Sequence, residues 1–258
     1  MYNLNMKILL GLIFFSFCSW AKLPNQIKVC DDGDEFPPYS YYQIKNKIKS
    51  NNVIGFSVDY LNEILKSKNI VAKYSLIPWP RCLEAVKKGE YDLALNATKN
   101  PEREREFLMT DSFFSVRTAL ISRADAQLKV DNLSDLKKYK ICAQTGYNYS
   151  YLGIEDKDIE FKSNTFDSAI KMVKGKRCDF ISVDYEVLLG YKLVGIGNYV
   201  DDRELNVTVL KFVPTTEYFM LLSKAKDYAA ELKELIDTKN RELIQKKIDQ
   251  KLMKKFSK

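Results

Sequence analysis

GEYDLALNATKNPERE, the stretch at residues 89–104, joins a strand pattern directly to a helix start. The apolar run that follows Asp92 predicts a buried β-strand over residues 91–97. Asn100 then precedes Pro101 and Glu102; asparagine is a preferred N-cap residue and proline is favoured at the first helical position. A strand that leads at once into a helix is typical of an α/β fold, in which helices cover the faces of a sheet.

Strand and helix patterns alternate along the rest of the chain. Short apolar runs predict further strands at residues 27–30, 71–77, 117–122, 140–143 and 178–183, and the runs at 205–213 and 218–222 precede a helical C-terminus. Apolar residues at helical spacing predict amphipathic helices between the strands. These residues are Val58, Leu61, Ile64 and Leu65, then Leu83 and Val86, and later Ala169, Ile170 and Val173.

The order of these patterns predicts two lobes rather than one continuous domain. The first series ends after Phe114, and a second strand-helix series runs from Asn132 to about Tyr199. No internal repeat and no low-complexity linker divides the chain. We therefore expect a discontinuous first lobe that is interrupted by an inserted second lobe.

The N-terminus predicts export. Lys7 precedes the uncharged ten-residue run ILLGLIFFSF at residues 8–17, and the small residues Ser19 and Ala21 follow it. A run of this length is too short to cross a bilayer, which takes about 20 residues. It is typical of a secretory signal peptide, here cleaved after Ala21. Cys18 follows Phe17 instead of a small residue, which disfavours attachment of a lipid.

Composition argues against several classes of function. The chain has 41 basic and 34 acidic residues, and its formal net charge of +7 is spread along the sequence. The lysine cluster at residues 246–258 lies on a helical pattern, which favours a solvated helix face over a nucleic-acid patch. Histidine is absent and the cysteines show no CxxC spacing, so we expect no metal site and no cofactor.

Several short motifs follow one another in a specific order and spacing. They are Phe36-Pro37-Pro38-Tyr39, Gly55-Phe56-Ser57-Val58-Asp59, Trp79 thirteen residues before Asp92, the stretch at 89–104, Thr110-Asp111-Ser112-Phe113-Phe114, Gln144-Thr145-Gly146, and Asp179-Phe180-Ile181-Ser182-Val183-Asp184. In these motifs the sequence resembles the type 2 periplasmic solute-binding proteins of the amino-acid-binding family, bacterial extracellular solute-binding protein family 3. The resemblance covers essentially the whole chain after the signal peptide.

The resemblance implies two α/β lobes that close over a small ligand in a central cleft. The hinge would use two crossing strands at residues 115–120 and 215–219. Lobe 1 would comprise residues 22–115 and 218–258, lobe 2 would comprise residues 116–217, and residues 1–21 would be the signal peptide. The implied function is a monomeric periplasmic protein that captures an amino acid or a related small carboxylate. It would deliver the ligand to the membrane permease of an ABC-type importer and bind no nucleic acid.

Two other functions stay open at this point. The same fold hosts secreted dehydratases, so an enzyme is the second hypothesis. The absence of histidine and the pairing of Arg103 with Asp184 argue against it. A soluble ligand sensor that signals to a membrane receptor is the third hypothesis.

Arg103 and Asp184 match the residues that hold the two charged ends of the ligand in the family. A guanidinium pairs with a carboxylate through two parallel hydrogen bonds that a lysine cannot reproduce, which suits Arg103 to an α-carboxylate. Taken alone, an arginine in the first turn of a helix is usually a solvated residue. Asp184 would receive the ligand's ammonium group, and the alternative is that its side chain caps the helix that begins at Tyr185.

Aromatic residues match the walls of the family's pocket. Trp79 and Phe36 align with rings that sandwich a ligand side chain or attract a cation, although tryptophan is also an ordinary core residue. Arg81 lies two residues after Trp79, and its direction, toward the cleft or toward solvent, stays open. The segment from Asp92 to Arg103 is one residue shorter than the usual pattern, which leaves the contacts of Thr98 uncertain.

The turn Gln144-Thr145-Gly146-Tyr147 matches a strand-to-helix turn in lobe 2. The resemblance implies that Thr145, Gly146 and Tyr147 lie at the ligand, where backbone N–H groups at a helix start hold its carboxylate. The family usually has threonine or serine after the glycine, so Tyr147 changes the size of the pocket. The acidic run at residues 31–35 suggests a cationic ligand, and its alternative is a solvated loop.

The cysteines Cys30, Cys82, Cys142 and Cys178 leave two states open. Disulfides are expected in an exported protein, and buried free thiols are equally compatible with the sequence. Since a bridge between the lobes would lock the implied hinge, any disulfides should pair Cys30 with Cys82 and Cys142 with Cys178.

Overall fold

A computed structural model describes residues 22–46 and 48–238 as a mixed α/β protein built on two large sheets. The predicted signal peptide and the lysine cluster at 246–258 lie outside the described residues. Within the described part of the chain, no helix is both long and apolar enough to cross a membrane.

The first sheet has the strand order β4-β1-β5-β13-β6, and β7 pairs with β13 beside this path. Strand β1 runs parallel to β4 and β5, whereas β13 is antiparallel to β5, β6 and β7. The strands are β1 (Gln26–Asp32), β4 (Val71–Ile77), β5 (Leu93–Ala97), β6 (Phe107–Met109), β7 (Phe114–Val116) and β13 (Thr216–Ser223). The helices around them are α1 (Phe56–Lys66), α2 (Trp79–Lys87), α3 (Pro101–Glu106) and α7 (Ala229–Asp237), and a hairpin adds β2 (Tyr41–Lys45) and β3 (Ile48–Ile54).

The second sheet has the strand order β10-β9-β11-β8-β12. Strand β9 is parallel to β10 and β11, and β8 is antiparallel to β11 and β12. The strands are β8 (Thr118–Arg123), β9 (Ile141–Gln144), β10 (Phe161–Ser163), β11 (Phe180–Asp184) and β12 (Leu205–Val209). Its helices are α4 (Leu133–Leu136), α5 (Phe166–Lys174) and α6 (Tyr185–Val194). We call the elements around the first and second sheets lobe 1 and lobe 2; the residue limits predicted for the lobes stay a prediction.

Most predicted elements are confirmed, and the differences lie at the starts and ends of strands. Strand β4 has the predicted limits, whereas β5 begins at Leu93 because the N–H of Tyr91 donates to Ala85 in the turn after α2. The N-cap of α3 is confirmed, since the Asn100 side chain accepts from the backbone N–H of Arg103 at 2.8 Å. This cap fixes the first turn of α3 and therefore the position of the Arg103 side chain.

The chain passes between the two sheets at two adjacent points. Val116 of β7 pairs with Thr216 of β13, and β8 begins at Thr118, so Arg117 alone separates the two sheets on the outward crossing. The hydroxyls of Thr118 and Thr216 lie 3.4 Å apart. The strands expected to form the hinge are thus neighbours.

An aromatic cluster packs beneath the crossing point in lobe 1. The rings of Tyr39 and Phe114 stack at 4.0 Å between centroids, and Phe114 stacks on Tyr218 at 4.8 Å. Burial of each large apolar side chain stabilises the fold by about 1.5 to 3 kcal/mol. This packing holds Tyr218, which also faces the cleft, in a fixed position.

Both cysteine pairs are disulfides, and each bridge stays within one lobe. Cys30 of β1 joins Cys82 of α2 with a Cα–Cα distance of 5.7 Å, and Cys142 of β9 joins Cys178 with a Cα–Cα distance of 5.6 Å. The first bridge ties α2 to β1, which lies between β4 and β5 in the sheet of lobe 1. The second ties β9 to the turn that precedes β11.

We expect a non-reducing peptide map of the purified protein to show these same two bridges. Replacing both Cys142 and Cys178 with serine should lower the free energy of unfolding by about 2 to 5 kcal/mol, since the bridge closes a loop of 36 residues. Denaturant unfolding under oxidising conditions measures the loss. A map that joined Cys30 to Cys178 would contradict the arrangement of the sheets.

Candidate functional site

A cavity of about 70 Å³ lies between the two lobes, where several strands end. Ligand sites in open α/β sheets lie at the carboxyl ends of strands. Lobe 1 contributes Asp31, Asp32, Glu35, Phe36, Trp79, Asn96, Thr98 and Arg103. Lobe 2 and the crossing strands contribute Gln144, Tyr147, Asn148, Tyr149, Tyr151, Phe166, Ser182, Val183, Asp184, Val187, Tyr191, Thr216 and Tyr218.

The structure brings six of the eight predicted site residues to this cavity: Phe36, Trp79, Thr98, Arg103, Tyr147 and Asp184. Thr145 and Gly146 instead line a neighbouring groove. The Thr145 hydroxyl faces β10, where it donates to the carbonyl of Ser163 at 3.2 Å. Arg81, whose direction was open, is exposed and lies outside the cavity lining.

The Arg103 guanidinium is buried and spans the cleft. Its Nη1 donates to the carbonyl and the hydroxyl of Thr98 at 2.7 and 2.8 Å, and its Nη2 donates to the carbonyl of Gly146 in lobe 2 at 3.1 Å. These bonds engage three of the five N–H groups of a guanidinium, which leaves two for a ligand carboxylate. Burial lowers the pKa of Arg103 to about 10, so the group is still charged at neutral pH.

Trp79 forms a second contact across the cleft at the same carbonyl. Its indole Nε1 donates to the Gly146 oxygen at 3.1 Å, and the Arg103 guanidinium lies 5.5 Å from the centre of its ring. Gly146 has φ +81°, and a Cβ there would lie 3.0 Å from Pro80. The glycine is therefore required both by its backbone conformation and by the close approach of α2.

Asp184 lies at the end of β11 with its carboxylate buried in the cavity. Although Asp184 occupies the N-cap position of α6, its side chain makes no cap hydrogen bond, so the helix-cap alternative is wrong. Its Oδ2 accepts a hydrogen bond from the hydroxyl of Tyr218. Burial raises the pKa of Asp184 to about 7, since little of the carboxylate reaches water.

The acidic run at residues 31–35, which ends β1 and begins the next loop, is folded into the site, so its interpretation as a solvated loop is wrong. Asp31, Asp32 and Glu35 are between 2% and 8% exposed. Asp31 accepts from the Ser40 hydroxyl and the Asn96 amide, and burial raises its pKa to about 7. Glu35 pairs with Lys49 of the hairpin, and burial also raises the pKa of Asp32.

Tyr147 reaches from lobe 2 into lobe 1, where its hydroxyl donates to Asp32. The expected helix start after Gly146 is wrong. The chain makes a turn there and then a short 3₁₀-helix at Ser150–Leu152, so no α-helix begins at this turn in the described part of lobe 2. The Tyr149 hydroxyl accepts from the backbone N–H of Gln144 at 3.0 Å, which holds this turn against the end of β9.

Contacts between the lobes extend beyond the cavity to the loop that follows β1. Asp34 Oδ2 accepts from the backbone N–H of Phe166, at the start of α5, at 2.6 Å and from the Gln144 amide at 3.1 Å. The Tyr191 hydroxyl of α6 donates to the carbonyls of Asp34 and Glu35, each at 3.0 Å. Burial raises the pKa of Asp34 to about 6. The structure therefore describes the lobes in a closed arrangement.

Five further cavity residues were not predicted as site residues from the sequence. Asn96, Tyr151, Ser182, Tyr191 and Tyr218 line the cavity beside the predicted residues. Asn96 has φ +49° at the end of β5, a backbone conformation that asparagine tolerates better than most residues. Tyr218 lies in an apolar strand pattern, in which tyrosine is a common residue, so the pattern does not indicate a role in the site.

The charges around the cavity favour a ligand with one anionic group and more than one cationic group. Arg103 offers the positive charge, and Asp31, Asp32 and Asp184 offer carboxylates, of which Asp31 already accepts from two neutral side chains. Burial of uncompensated carboxylates is costly unless a positive group joins them. Among the described residues, no group of three or more acidic or cysteine side chains has the arrangement of a metal site.

Comparison with known sequences finds similarity to extracellular binding proteins over part of the chain. The family described as bacterial extracellular solute-binding proteins, family 3, matches residues 27–139. An arginine-binding periplasmic protein of Mannheimia haemolytica is 29% identical over 59% of this chain and 61% of its own length. A probable histidine-binding protein of Neisseria gonorrhoeae is 26% identical over 49% of this chain and 46% of its own length. The chain thus spans less than two thirds of either relative.

Solved structures share the fold over most of the chain. An amino acid ABC transporter substrate-binding protein of Streptococcus pneumoniae, bound to L-arginine, has a TM-score of 0.70 at 18% identity and covers 90% of this chain and 95% of its own. The arginine-, lysine-, histidine-binding protein of Geobacillus stearothermophilus has a TM-score of 0.68 at 20% identity and covers 88% and 94%. At these identities the likeness establishes the fold alone, and that fold is the predicted two-lobed, type 2 arrangement.

Proposed function

We propose, from the premise that this chain is a relative of the family 3 extracellular solute-binding proteins, that it captures a cationic α-amino acid between its lobes. Arg103 would hold the α-carboxylate, Asp184 the α-ammonium group, and Asp32 the cationic end of the side chain. Phe36 and Trp79 would cover the aliphatic part of the ligand. The protein would deliver the amino acid to the permease of an ABC-type importer.

The observation that carries this proposal is the placement of a buried arginine and a buried aspartate, from different lobes, on one cavity. Two hydrogen-bond donors of Arg103 remain for a carboxylate, and Tyr218 is the only described side chain that donates to Asp184. A zwitterion fits this pair, because each of its charges would meet an opposite charge. The names of the two sequence relatives, an arginine-binding and a probable histidine-binding protein, support a cationic side chain.

The proposal is a binding function rather than catalysis. The sequence relatives are binding proteins, and the chain has no histidine to act as a general acid or base near neutral pH. The name of one relative, an arginine-binding periplasmic protein, supports a periplasmic location. We propose that the chain acts there as a monomer after removal of the predicted signal peptide at residues 1–21. Its charge distribution gives no reason to expect a nucleic-acid partner.

A thermal-shift screen of the common amino acids, diamines and small carboxylates tests the function. A ligand at one hundred times its dissociation constant should stabilise the fold by about 2.7 kcal/mol. We expect the largest shifts from amino acids with a cationic side chain. Shifts from neutral carboxylates alone, with none from amino acids, would contradict the assignment.

Replacing Asp184 with asparagine should weaken binding of the best amino acid from that screen by about 30-fold or more. The reason is that loss of one partner from a buried charge pair costs about 2 to 5 kcal/mol. The matched ligand that lacks only the α-amine should bind the variant and the wild type equally well. Calorimetry with both ligands makes the measurement, and an equal loss for both would remove Asp184 from the ammonium site.

Affinity for a cationic amino acid should fall as the pH drops below about 7. Burial raises the pKa of Asp184 to about 7 from its ordinary value of 3.8, so the empty site binds a proton below that pH. The ligand must displace this proton, which lowers the apparent association constant by up to about tenfold per pH unit. Calorimetry at pH 5, 6, 7 and 8 measures the trend.

The same pKa shift has the opposite effect on the ligand-free protein. Because the folded-state pKa of Asp184 lies above its ordinary value, this group stabilises the fold at low pH, and that contribution is lost as the pH rises through about 7. Asp184→Asn should weaken the pH dependence of ligand affinity and also the pH dependence of the free energy of unfolding. An affinity that rises on acidification would contradict an ionised Asp184 in the complex.

A further inference from the structure

The side chain of Tyr147 occupies space in the cleft between the two lobes. It follows Gly146 in the turn after β9, and its hydroxyl donates to Asp32 at the end of β1 in lobe 1. Its ring packs on apolar residues of both lobes, with Ile141 and Leu152 in one cluster and Trp79 and Cys82 in the other. A single side chain therefore spans the cleft and contacts the carboxylate proposed to receive a cationic side chain.

The space left beside this ring is small. The cavity measures about 70 Å³, whereas an engineered apolar cavity that binds benzene measures about 150 Å³. The phenol ring of Tyr147 is itself the size of benzene, so the ring takes more of the cleft than remains free. A ligand whose side chain reaches Asp32 must therefore be short or must displace the ring.

The hydroxyl of Tyr147 keeps the proton that it donates to Asp32. Burial and the nearby Asp32 raise its pKa well above the ordinary value, so the phenol keeps its proton and remains a donor. Displacement would leave the Asp32 carboxylate without this partner unless the ligand replaced it with a cation. The ring is thus held by packing on two lobes and by one hydrogen bond.

We propose that Tyr147 is a specificity-determining residue that shortens the side-chain end of the cleft, so that the protein selects short cationic amino acids over long ones. This inference rests on the proposed function. L-2,4-diaminobutyrate, L-ornithine and L-lysine carry the same three charged groups and differ by one methylene at each step. They measure the length of the site without changing its charges.

The test is calorimetry of these three amino acids with the wild type and with Tyr147→Thr, which removes the ring and keeps a hydroxyl. The wild type should bind L-2,4-diaminobutyrate at least tenfold more tightly than L-lysine, since one methylene in a closed pocket changes affinity by about 10- to 200-fold. Tyr147→Thr should reverse this order. Tyr147→Leu, which keeps apolar contact and shortens the side chain, provides a second variant if the threonine variant unfolds.

Two control variants separate ring size from other effects. Tyr147→Phe keeps the ring and should keep the wild-type order of affinities. Tyr149→Phe alters a neighbouring cavity residue whose hydroxyl bonds within its own lobe, and it should also leave the order unchanged. If Tyr147→Phe instead behaved like Tyr147→Thr, the hydrogen bond rather than the ring would set the preference, and the proposed size limit would be wrong.

The remaining outcomes distinguish this inference from the proposed function. Binding of the three amino acids in the same order by wild type and Tyr147→Thr would overturn the role of Tyr147 and leave the capture of amino acids intact. Failure of all three to bind either protein, when both unfold cooperatively on heating, would overturn the cationic-ligand assignment itself and the inference with it.

Discussion

Replacing Arg103 with alanine should weaken amino-acid binding by about 30-fold to several thousand-fold. The substitution leaves the ligand carboxylate enclosed without its partner, which costs about 2 to 5 kcal/mol, and each 1.4 kcal/mol is a factor of ten in affinity. The side chain is 5% exposed and lines the cavity. Calorimetry with the amino acid selected by the thermal-shift screen measures the effect.

Arg105 is the matched control, because it lies two residues away on the same helix and is exposed. Residues two apart on a helix point about 200° apart, so only one of these arginines can face the cleft. Arg105→Ala should change affinity by less than about fivefold, since exposed ion pairs contribute about 0 to 1 kcal/mol. Equal and small effects at both positions would remove the carboxylate site.

A second variant separates binding from stability, because Arg103 also bonds to Thr98 and Gly146. Loss of the hydrogen bonds to these neutral acceptors lowers the free energy of unfolding by about 0.5 to 1.5 kcal/mol for each bond. Thermal unfolding of the ligand-free protein detects this loss. Arg103→Lys keeps the positive charge and removes the planar guanidinium with its two parallel donors. It should bind more weakly than the wild type, because one ammonium cannot make both parallel bonds.

Replacing Gly190 with alanine should weaken ligand binding by about 5- to 150-fold without weakening the fold. Gly190 lies inside α6 of lobe 2, and a Cβ there would overlap the carbonyl oxygen of Pro37 in lobe 1, well inside the 3.0 Å that real Cβ contacts keep. Overpacking of this kind costs about 1 to 3 kcal/mol, and here the cost falls on the closed arrangement alone. In an open arrangement α6 would gain up to about 1 kcal/mol of helix propensity.

Small-angle X-ray scattering with saturating ligand shows whether the lobes of Gly190→Ala still close. We expect the variant to stay more extended than the wild type and to have an unchanged or higher melting temperature. Leu193→Ala is the control, since Leu193 lies on the same helix and is 59% exposed. Normal affinity and normal closure in Gly190→Ala would show that α6 does not dock on the loop after β1 when ligand binds.

Local patterns were sufficient to predict most of the fold. The strand pattern of β4 and the Asn100 cap of α3 were predicted correctly, because a strand pattern and a helix start depend on neighbouring residues. The starts of β5 and β11 were predicted two residues early. Tyr91 bonds back to Ala85 in the turn after α2, and Cys178 is tied to Cys142, so contacts outside the strands accompany those limits.

The candidate site was predicted in part, since motifs identify residue types and not their partners. The positions of Arg103 and Asp184 on one cavity agree with the expectation, and their roles remain proposals. The acidic run looked like a solvated loop, because its burial depends on Ser40, Asn96 and Tyr147, which are distant in sequence. The direction of the Thr145 hydroxyl toward β10 likewise depends on how β9 and β10 pair.

The central claim is that the cleft holds an amino acid by both of its charged ends. Calorimetry of the wild type with the selected cationic amino acid, and with the diamine that remains when its carboxylate is removed, tests this claim most directly. We predict a saturable, one-to-one association with the amino acid and an affinity at least 30-fold lower for the diamine. Equal affinities for the two, or no association with any amino acid of the screen, would contradict it.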